Sequence, residues 1–264
     1  MMDLGLNGKV ALVAAASTGL GKASALALAG EGARVTICAR TTERLRVTAQ
    51  EIRDATGAEV LEVPADLSTA AGVSNAVGVT AERFGGIDIL VNNSGGPALG
   101  RFGDFSDEDW QRGFEVVTLN FVRFVREVTP YMRQKRWGRI IGIQSTSVKQ
   151  PVEGIDLSNG IRPGIAGLTK AIMPDLAKDG ITINLVLPGS FLTARISPGL
   201  DDKTPAERAE IAAQFAEGAG SIPVGRLGDP MELGHLVAFL ASEKAAYITG
   251  AVYQIDGGRI SSNV

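Results

Sequence analysis

The chain has 264 residues, of which 45% are hydrophobic and 21% charged, and its formal net charge at neutral pH is −3. This length suits one large domain, and the near-neutral charge provides no bulk attraction for nucleic acid or for an anionic membrane. A single cysteine cannot form an internal disulfide, and a single histidine without partners at ligand spacing leaves no metal site to propose. With neither a recognisable leader nor a long apolar run, we expect a cytoplasmic protein.

Short apolar runs alternate along the chain with helix-length, alanine-rich segments. The predicted strands are 10–14, 34–38, 59–63, 87–91, 139–143, 181–187 and 251–255. Helices are expected near 19–31, 42–56, 69–84, 107–135, 159–178 and 229–242, with a shorter one around 204–217. Runs that are apolar throughout are typical of strands covered on both faces, and helix-length spacers favour parallel crossovers. The sequence therefore predicts a doubly wound α/β fold with a parallel sheet of about seven strands and helices on both faces. Residues 1–264 are expected to form a single domain with a substrate-covering insertion around 191–223.

The segment after the first predicted strand has two glycines where a helix should begin. Small residues in such a turn let the backbone approach a pyrophosphate, and the helix N-terminus presents free N–H groups. Because two glycines alone are weak evidence, a helix that merely packs closely on a strand is the alternative. The pattern indicates a dinucleotide site, with contacts from Ala15, Ser17, Thr18, Gly19, Leu20 and Gly21.

Small and polar residues also follow the other predicted strands. Ligands of open α/β sheets bind at the carboxyl ends of the strands, so we expect these residues to border the same site. They are Asp66 and Leu67 after the third strand, Asn92, Asn93, Ser94 and Gly95 after the fourth, Asn120 in the long helix, and Pro188, Gly189 and Thr193 after the sixth.

With these motifs the chain resembles the short-chain dehydrogenase/reductase family from Gly8 to Gly258, and most of all its 3-oxoacyl-(acyl carrier protein) reductase-like members. The glycine loop is similar to the family's TGxxxGxG, the Asn92 segment to its NNAG, and residues 255–258 to its closing turn. The resemblance implies a Rossmann-type fold, a nicotinamide cofactor, a small carbonyl substrate that can be carried as a thioester, and a homodimer or homotetramer. Ala14 and Ala15 replace the family's Thr-Gly, and an alanine there is unstrained only if its φ stays negative.

The end of the second predicted strand bears on the choice of cofactor. NAD sites usually have a carboxylate here to accept hydrogen bonds from the ribose, whereas this chain has Ala39 followed by Arg40. A carboxylate would repel a 2′-phosphate, but Arg40 can bind one with two hydrogen bonds. The sequence favours NADP(H), and a solvated arginine in the next turn is the alternative.

The catalytic set that the resemblance implies is incomplete. In the family an asparagine anchors a proton-relay water, a serine orients the carbonyl, a tyrosine transfers the proton, and a lysine four residues later binds the ribose. Asn120 and Ser145 match, but counting 13 residues from Ser145 places Ser158 at the tyrosine position and Arg162 at the lysine position. No tyrosine lies between 132 and 246, so a shifted alignment cannot supply one. A serine hydroxyl is a much poorer acid than a phenol, and loss of a positioned acid costs about 10²- to 10⁴-fold in rate.

Arg162 can still supply part of the lysine's role, because a guanidinium donates to ribose hydroxyls and keeps a positive charge near the nicotinamide. A spacing of four places Ser158 and Arg162 on one face of a helix. Pro163 opens an alternative in which the helix begins at the proline and Ser158 only caps or turns the chain.

Three functional hypotheses remain open. The first is an NADPH-dependent reductase whose proton comes through water held by Asn120, Ser145 and Ser158. The second is an enzyme whose hydride-transfer product needs no acid from the protein. The third is a non-catalytic NADP(H)-binding sensor or assembly protein.

The substrate pocket is expected beside residues 148–157 and 191–196, with an apolar lining from Val152, Ile155, Phe191 and Leu192. Arg195 either binds a substrate carboxylate or phosphate or lies in a surface ion pair. Glu153 and Asp156 are alternative acids if burial raises the pKa of their carboxyl groups, and are otherwise solvated.

Overall fold

The computed structural model describes residues 3–200, 203–218 and 222–262. Within these ranges seven strands form one sheet in the order β3-β2-β1-β4-β5-β6-β7, with every neighbouring pair parallel. They are β1 (Val10–Ala14), β2 (Arg34–Ala39), β3 (Val60–Pro64), β4 (Ile89–Asn92), β5 (Gly138–Ile143), β6 (Ile181–Pro188) and β7 (Val252–Ile255). The predicted parallel sheet is confirmed, although β3, β4 and β7 begin one or two residues later than expected. Residues 201–202 and 219–221 of the expected insertion lie outside the described residues.

Helices cover both faces of the sheet. They are α1 (Gly19–Gly30), α2 (Thr42–Thr56), α3 (Ala70–Phe84), α4 (Asp107–Phe114), α5 (Asn120–Lys135), α6 (Asp156–Ile161), α7 (Pro163–Lys178), α8 (Pro205–Gly218) and α9 (Pro230–Ala241). Side chains alternate along a strand, so Ala11 and Val13 of β1 pack with α1, α2 and α9, while Leu12 and Ala14 pack with α3, α5 and α7. No helix in the described part of the chain is long and apolar enough to cross a membrane.

The expected continuous helix over 107–135 is wrong. A π-helical turn at Glu115–Leu119 separates α4 from α5. Such a turn holds one extra residue and often occurs at a functional site. It places Asn120 at the start of α5, where its side chain is 1% exposed.

The expected helix over 159–178 begins earlier, at Asp156, and is divided into α6 and α7 around Arg162. Pro163 interrupts the hydrogen-bond ladder because it has no N–H. Arg162 nevertheless keeps helical dihedrals (φ −68°, ψ −32°), and its N–H donates to the Ser158 carbonyl at 3.1 Å. The prediction that Ser158 and Arg162 share a helical face is confirmed. The alternative is right that a helix, α7, begins at Pro163, but wrong about Ser158, which lies within α6 and does not cap α7.

Candidate active site

A cleft of about 610 Å³ opens at the carboxyl edge of the sheet, where the strand order reverses between β1 and β4. Twelve of the predicted cofactor residues line it, together with Asn120: Ala15, Ser17, Thr18, Gly19, Leu20, Arg40, Asp66, Leu67, Asn93, Ser94, Gly95 and Thr193. Ser68, Val116 and Arg195 also line it. The structure therefore brings most of the predicted contacts to one place.

The glycine loop is held close to the sheet. Thr48 Oγ1 donates to the Ser17 carbonyl at 2.8 Å, and Asn93 Nδ2 donates to the Ala15 carbonyl at 3.3 Å. Gly21 does not line the cleft; a Cβ there would lie 2.4 Å from the Ala15 carbonyl oxygen, so the glycine lets α1 approach the loop. Ala15 has a φ of +49°, which is the strained case for an alanine.

Pro188 and Gly189 also lie outside the lining of the cleft. A Cβ on Gly189 would lie 2.7 Å from Asp256 Cα, and the Gly189 N–H donates to the Ile255 carbonyl at 3.0 Å. These contacts fasten the end of β6 to the end of β7. The chain then returns to the glycine loop, where Thr193 Cγ2 lies 3.5 Å from the position of a Cβ on Gly19.

The end of the cleft beside β2 has an arginine and no acid from that strand. Ala39 is buried, whereas Arg40 is exposed and forms no hydrogen bond or ion pair with the described residues. Asp66 lies nearby, and hydrogen bonds from the Ser68 N–H and hydroxyl, with a smaller contribution from the Arg40 charge, lower the pKa of its carboxyl group. Arg40 is therefore free to bind an anion.

Asn120 joins three parts of the site. Its Oδ1 accepts a hydrogen bond from Asn92 Nδ2 at 2.8 Å, and its Nδ2 donates to the Leu67 carbonyl at 2.7 Å. The side chain thereby ties the start of α5 to the end of β4 and to the loop after β3.

The two predicted serines are linked through a third. Ser145 follows β5, is half-buried, and its Oγ accepts a hydrogen bond from the Ser147 N–H at 3.2 Å. Ser147 Oγ lies 3.0 Å from Ser158 Oγ, and Ser158 is 6% exposed. Ser147 was not predicted, although the polar run 145–147 after an apolar strand was a usable signal.

Arg162 is 6% exposed, and its Nη2 approaches Gly96, which lines the cleft. Its Nε donates to Ser158 Oγ at 3.1 Å and its Nη1 to Gln144 Oε1 at 2.8 Å. Burial, and then the charge of Arg195, lower the pKa of the Arg162 guanidinium to about 10, so it remains charged at neutral pH. Gln144 was not predicted; an amide directly after the buried β5 was the available signal.

Some of the residues expected at the substrate pocket lie away from the cleft, and one lines it. Phe191 is wrong as a pocket residue, because it is 4% exposed and packs in the core beside Gly228. Glu153 is largely exposed and pairs with Arg101, and Asp156 accepts a hydrogen bond from the Phe102 N–H at 2.8 Å. Neither carboxylate lines the cleft. Arg195 does; it forms no ion pair with the described residues, and its Nη1 donates to the Gly95 carbonyl at 2.8 Å.

Comparison with known proteins identifies the family. A family model described as "Enoyl-(Acyl carrier protein) reductase" matches residues 14–259. The chain belongs to the short-chain dehydrogenase/reductase family. It is 35% identical over 255 residues to the 3-oxoacyl-[acyl-carrier-protein] reductase FabG of Escherichia coli (strain K12), a match that covers 97% of this chain and 98% of the relative. It is 33% identical over 252 residues to a putative ketoacyl reductase of Streptomyces coelicolor, with coverage of 95% and 96%. L-sorbose reductase of Gluconobacter frateurii, solved in complex with NADPH and L-sorbose, has a TM-score of 0.89 at 32% identity over 99% of this chain and 100% of that one. This chain is an oxidoreductase similar to ketoacyl reductases.

In this short-chain dehydrogenase/reductase no tyrosine lines the cleft. Tyr131 and Tyr253 pack against the two core clusters on opposite faces of the sheet, and Tyr247 is fully exposed. The hydroxyls beside Arg162 and Ser145 are those of Ser158 and Ser147.

Proposed function

We propose that the protein is an NADP(H)-dependent carbonyl reductase with an atypical active site, in which Ser158 and Arg162 replace the family's tyrosine and lysine. The observation that carries this proposal is the buried Ser158–Arg162 pair, hydrogen-bonded to Gln144 and Ser147 in a polar network that continues to Ser145. Buried polar groups are costly unless they are paired, and these groups pair with one another. We infer that the network serves the chemistry of the site.

The residues present fit a phosphorylated dinucleotide. The backbone at Ser17–Leu20 and the N-terminus of α1 suit the pyrophosphate, and Arg40 suits the 2′-phosphate because it is exposed, unpaired among the described residues and next to Ala39 rather than an acid. Arg162 would donate to the nicotinamide ribose. NADPH, when bound, supplies the hydride that adds to the carbonyl carbon.

The proton is the step in which this site differs from its relatives. Ser145 Oγ accepts a backbone hydrogen bond and keeps its own O–H to orient a carbonyl oxygen. The carbonyl oxygen then takes a proton from water held by Asn120, Ser145 and Ser158, so that hydride and proton together yield an alcohol. Because water and serine are weak acids, we expect turnover about 10²- to 10⁴-fold below that of a site with a phenol.

We further propose that the substrate is a small apolar ketone or a 3-oxoacyl thioester, and that the single domain covers it with the segment around 191–223. We also propose a cytoplasmic homodimer or homotetramer. An apolar groove of about 460 Å³ between α5 and α7, lined by residues such as Phe121, Val125 and Leu168, supports self-association.

The second candidate is a non-catalytic NADP(H)-binding sensor or assembly protein. The observation that favours it is that Ser158 Oγ already contacts both Ser147 Oγ and Arg162 Nε. A hydroxyl held in this way is poorly placed to act on a substrate.

Oxidation of NADPH with 3-oxoacyl thioesters, quinones and activated ketones separates the two candidates. We expect turnover that Ser145→Ala reduces at least tenfold, whereas Ser74→Ala, which alters an exposed serine on α3, leaves it unchanged. NADPH binding without turnover on the whole panel would favour the sensor. Absence of NADPH binding would overturn both candidates.

A further inference from the structure

Two arginines approach the same glycine, Gly96, at the edge of the cleft. The Nη2 atoms of Arg162 and Arg195 lie 3.4 and 3.3 Å from the position that a Cβ would occupy on Gly96. Gly96 has a φ of +74° and no side chain, so both guanidinium groups can approach its backbone more closely than a Cβ would allow.

Neither arginine has an anionic partner among the described residues. Arg162 donates to Ser158 Oγ and Gln144 Oε1, which are neutral, and its Nη2 makes no hydrogen bond there. Arg195 donates to the carbonyl oxygens of Gly95 at 2.8 Å and, weakly, of Pro97 at 3.5 Å. Backbone carbonyls therefore orient Arg195 without neutralising it.

Two like charges, one of them buried, are unfavourable without a counter-ion. Burial first, and the neighbouring Arg195 charge second, lower the pKa of the Arg162 guanidinium. An anion between the two guanidinium groups would relieve both effects, and the planar forks of arginine suit a carboxylate in particular.

The anionic groups of the dinucleotide have other places to bind. The free N–H groups at the start of α1 suit the pyrophosphate, and Arg40 suits the 2′-phosphate. The arginine pair instead lies beside Gly96, and Arg162 is connected through Ser158 to Ser147 beyond β5. An anion at Gly96 is thus placed on the substrate's side of the site.

The geometry points to an oxo acid as the substrate, with its carboxylate bound between Arg195 and Arg162 and its ketone directed toward Ser145. This inference rests on the proposed reductase function and replaces the uncharged substrates proposed above with an anionic one, since a thioester or a simple apolar ketone has no charge to place there. Arg195 is the specificity residue, because Arg162 also has a proposed cofactor contact.

The test uses a matched pair of probes, 2-oxo-4-phenylbutanoate and its ethyl ester, with the NADP⁺-loaded protein in calorimetry and with NADPH in turnover assays. We expect the acid to bind more than tenfold tighter than the ester. Arg195→Gln should weaken binding of the acid on the order of 10- to 100-fold, and should weaken it more than it weakens binding of the ester or of NADPH. Arg195→Lys keeps the positive charge but loses the planar guanidinium group, so its affinity for the acid should lie between those of the unmodified protein and of Arg195→Gln. Arg83→Gln removes the same charge from an exposed site on α3, away from the cleft, and should change nothing.

The outcomes separate this inference from the function on which it rests. Equal binding of acid and ester would overturn it, as would an Arg195→Gln variant that loses NADPH affinity as much as acid affinity, because the arginine would then serve the cofactor. Selective binding of the acid without turnover would support the anion site and count against the reductase activity. Unchanged NADPH binding in Arg195→Gln also shows that the variant is folded.

Discussion

Replacing Arg40 by alanine should shift cofactor preference from NADPH toward NADH. A hydrogen bond to a charged group contributes about 1.5–3 kcal/mol, and the exposure of Arg40 places the expected loss at the lower end of that range. A loss of about 1.5 kcal/mol corresponds to roughly tenfold weaker NADPH binding. The change also removes the arginine charge that acts on the Asp66 carboxylate, and the repulsion between this carboxylate and a bound 2′-phosphate would then increase the loss. NADH lacks this phosphate, so its affinity should not change.

Fluorescence or calorimetric titration of both cofactors at two salt concentrations measures this effect. The NADPH advantage of the unmodified protein should shrink at high salt, because an exposed ion pair is screened. Arg83→Ala is the control, since it removes an exposed arginine that pairs with Glu59 outside the cleft. Equal weakening of NADPH and NADH in Arg40→Ala, or no weakening of either, would refute the assignment of Arg40 to the phosphate.

Three further predictions concern strain, chemistry and burial. Ala15→Gly should raise the melting temperature by about 2 °C, because it releases roughly 1 kcal/mol of left-handed strain; an unchanged or lower value in thermal unfolding would count against that strain. Ser158→Tyr combined with Arg162→Lys should raise kcat/KM for simple ketones at least tenfold by restoring a phenolic acid, and an unchanged kcat/KM would show that proton supply is not limiting. Burial raises the pKa of the Cys38 thiol to about 12, so a disulfide reagent at about pH 8 should leave the native protein unmodified and label it fully in denaturant; rapid labelling of the native protein would contradict this burial.

The fold was predictable because its signals are local. Runs that are apolar throughout mark strands covered on both sides, and the spacers between them are long enough only for crossovers. The errors occur where a backbone irregularity has no distinct composition. The π-helical turn at Glu115–Leu119 differs from its helical neighbours only in hydrogen bonding, and α6 begins at Asp156, three residues before the helix expected from 159.

The site residues were predictable where their role follows from their position relative to a strand. The glycine loop, Arg40 and the Asn92 segment each lie directly after a strand, so their convergence follows from the parallel sheet. Gln144 and Ser147 escaped prediction because their importance depends on contacts with Arg162 and Ser158, which are 18 and 11 residues away in the sequence. The positive φ of Ala15 was not predicted either, because this conformation normally requires glycine and an alanine in the sequence does not indicate it.

The proposed chemistry and the proposed substrate support each other through charge. Hydride addition to a ketone develops negative charge on its oxygen, and a site can stabilise that charge with a proton donor or with fixed positive charge. The hydroxyls beside Arg162 are those of serines, and two guanidinium groups lie near Gly96. A bound carboxylate neutralises one positive charge and leaves one, so the net field still favours an oxyanion. An uncharged ester would leave both positive charges in place, but it would lose the anchor that positions its ketone beside Ser145, and poor positioning of the reacting group lowers the rate. We therefore expect the acid to exceed the ester in kcat as well as in affinity. If the ester turned over as fast as the acid at saturation, the carboxylate contact would contribute to binding only and not to the chemical step.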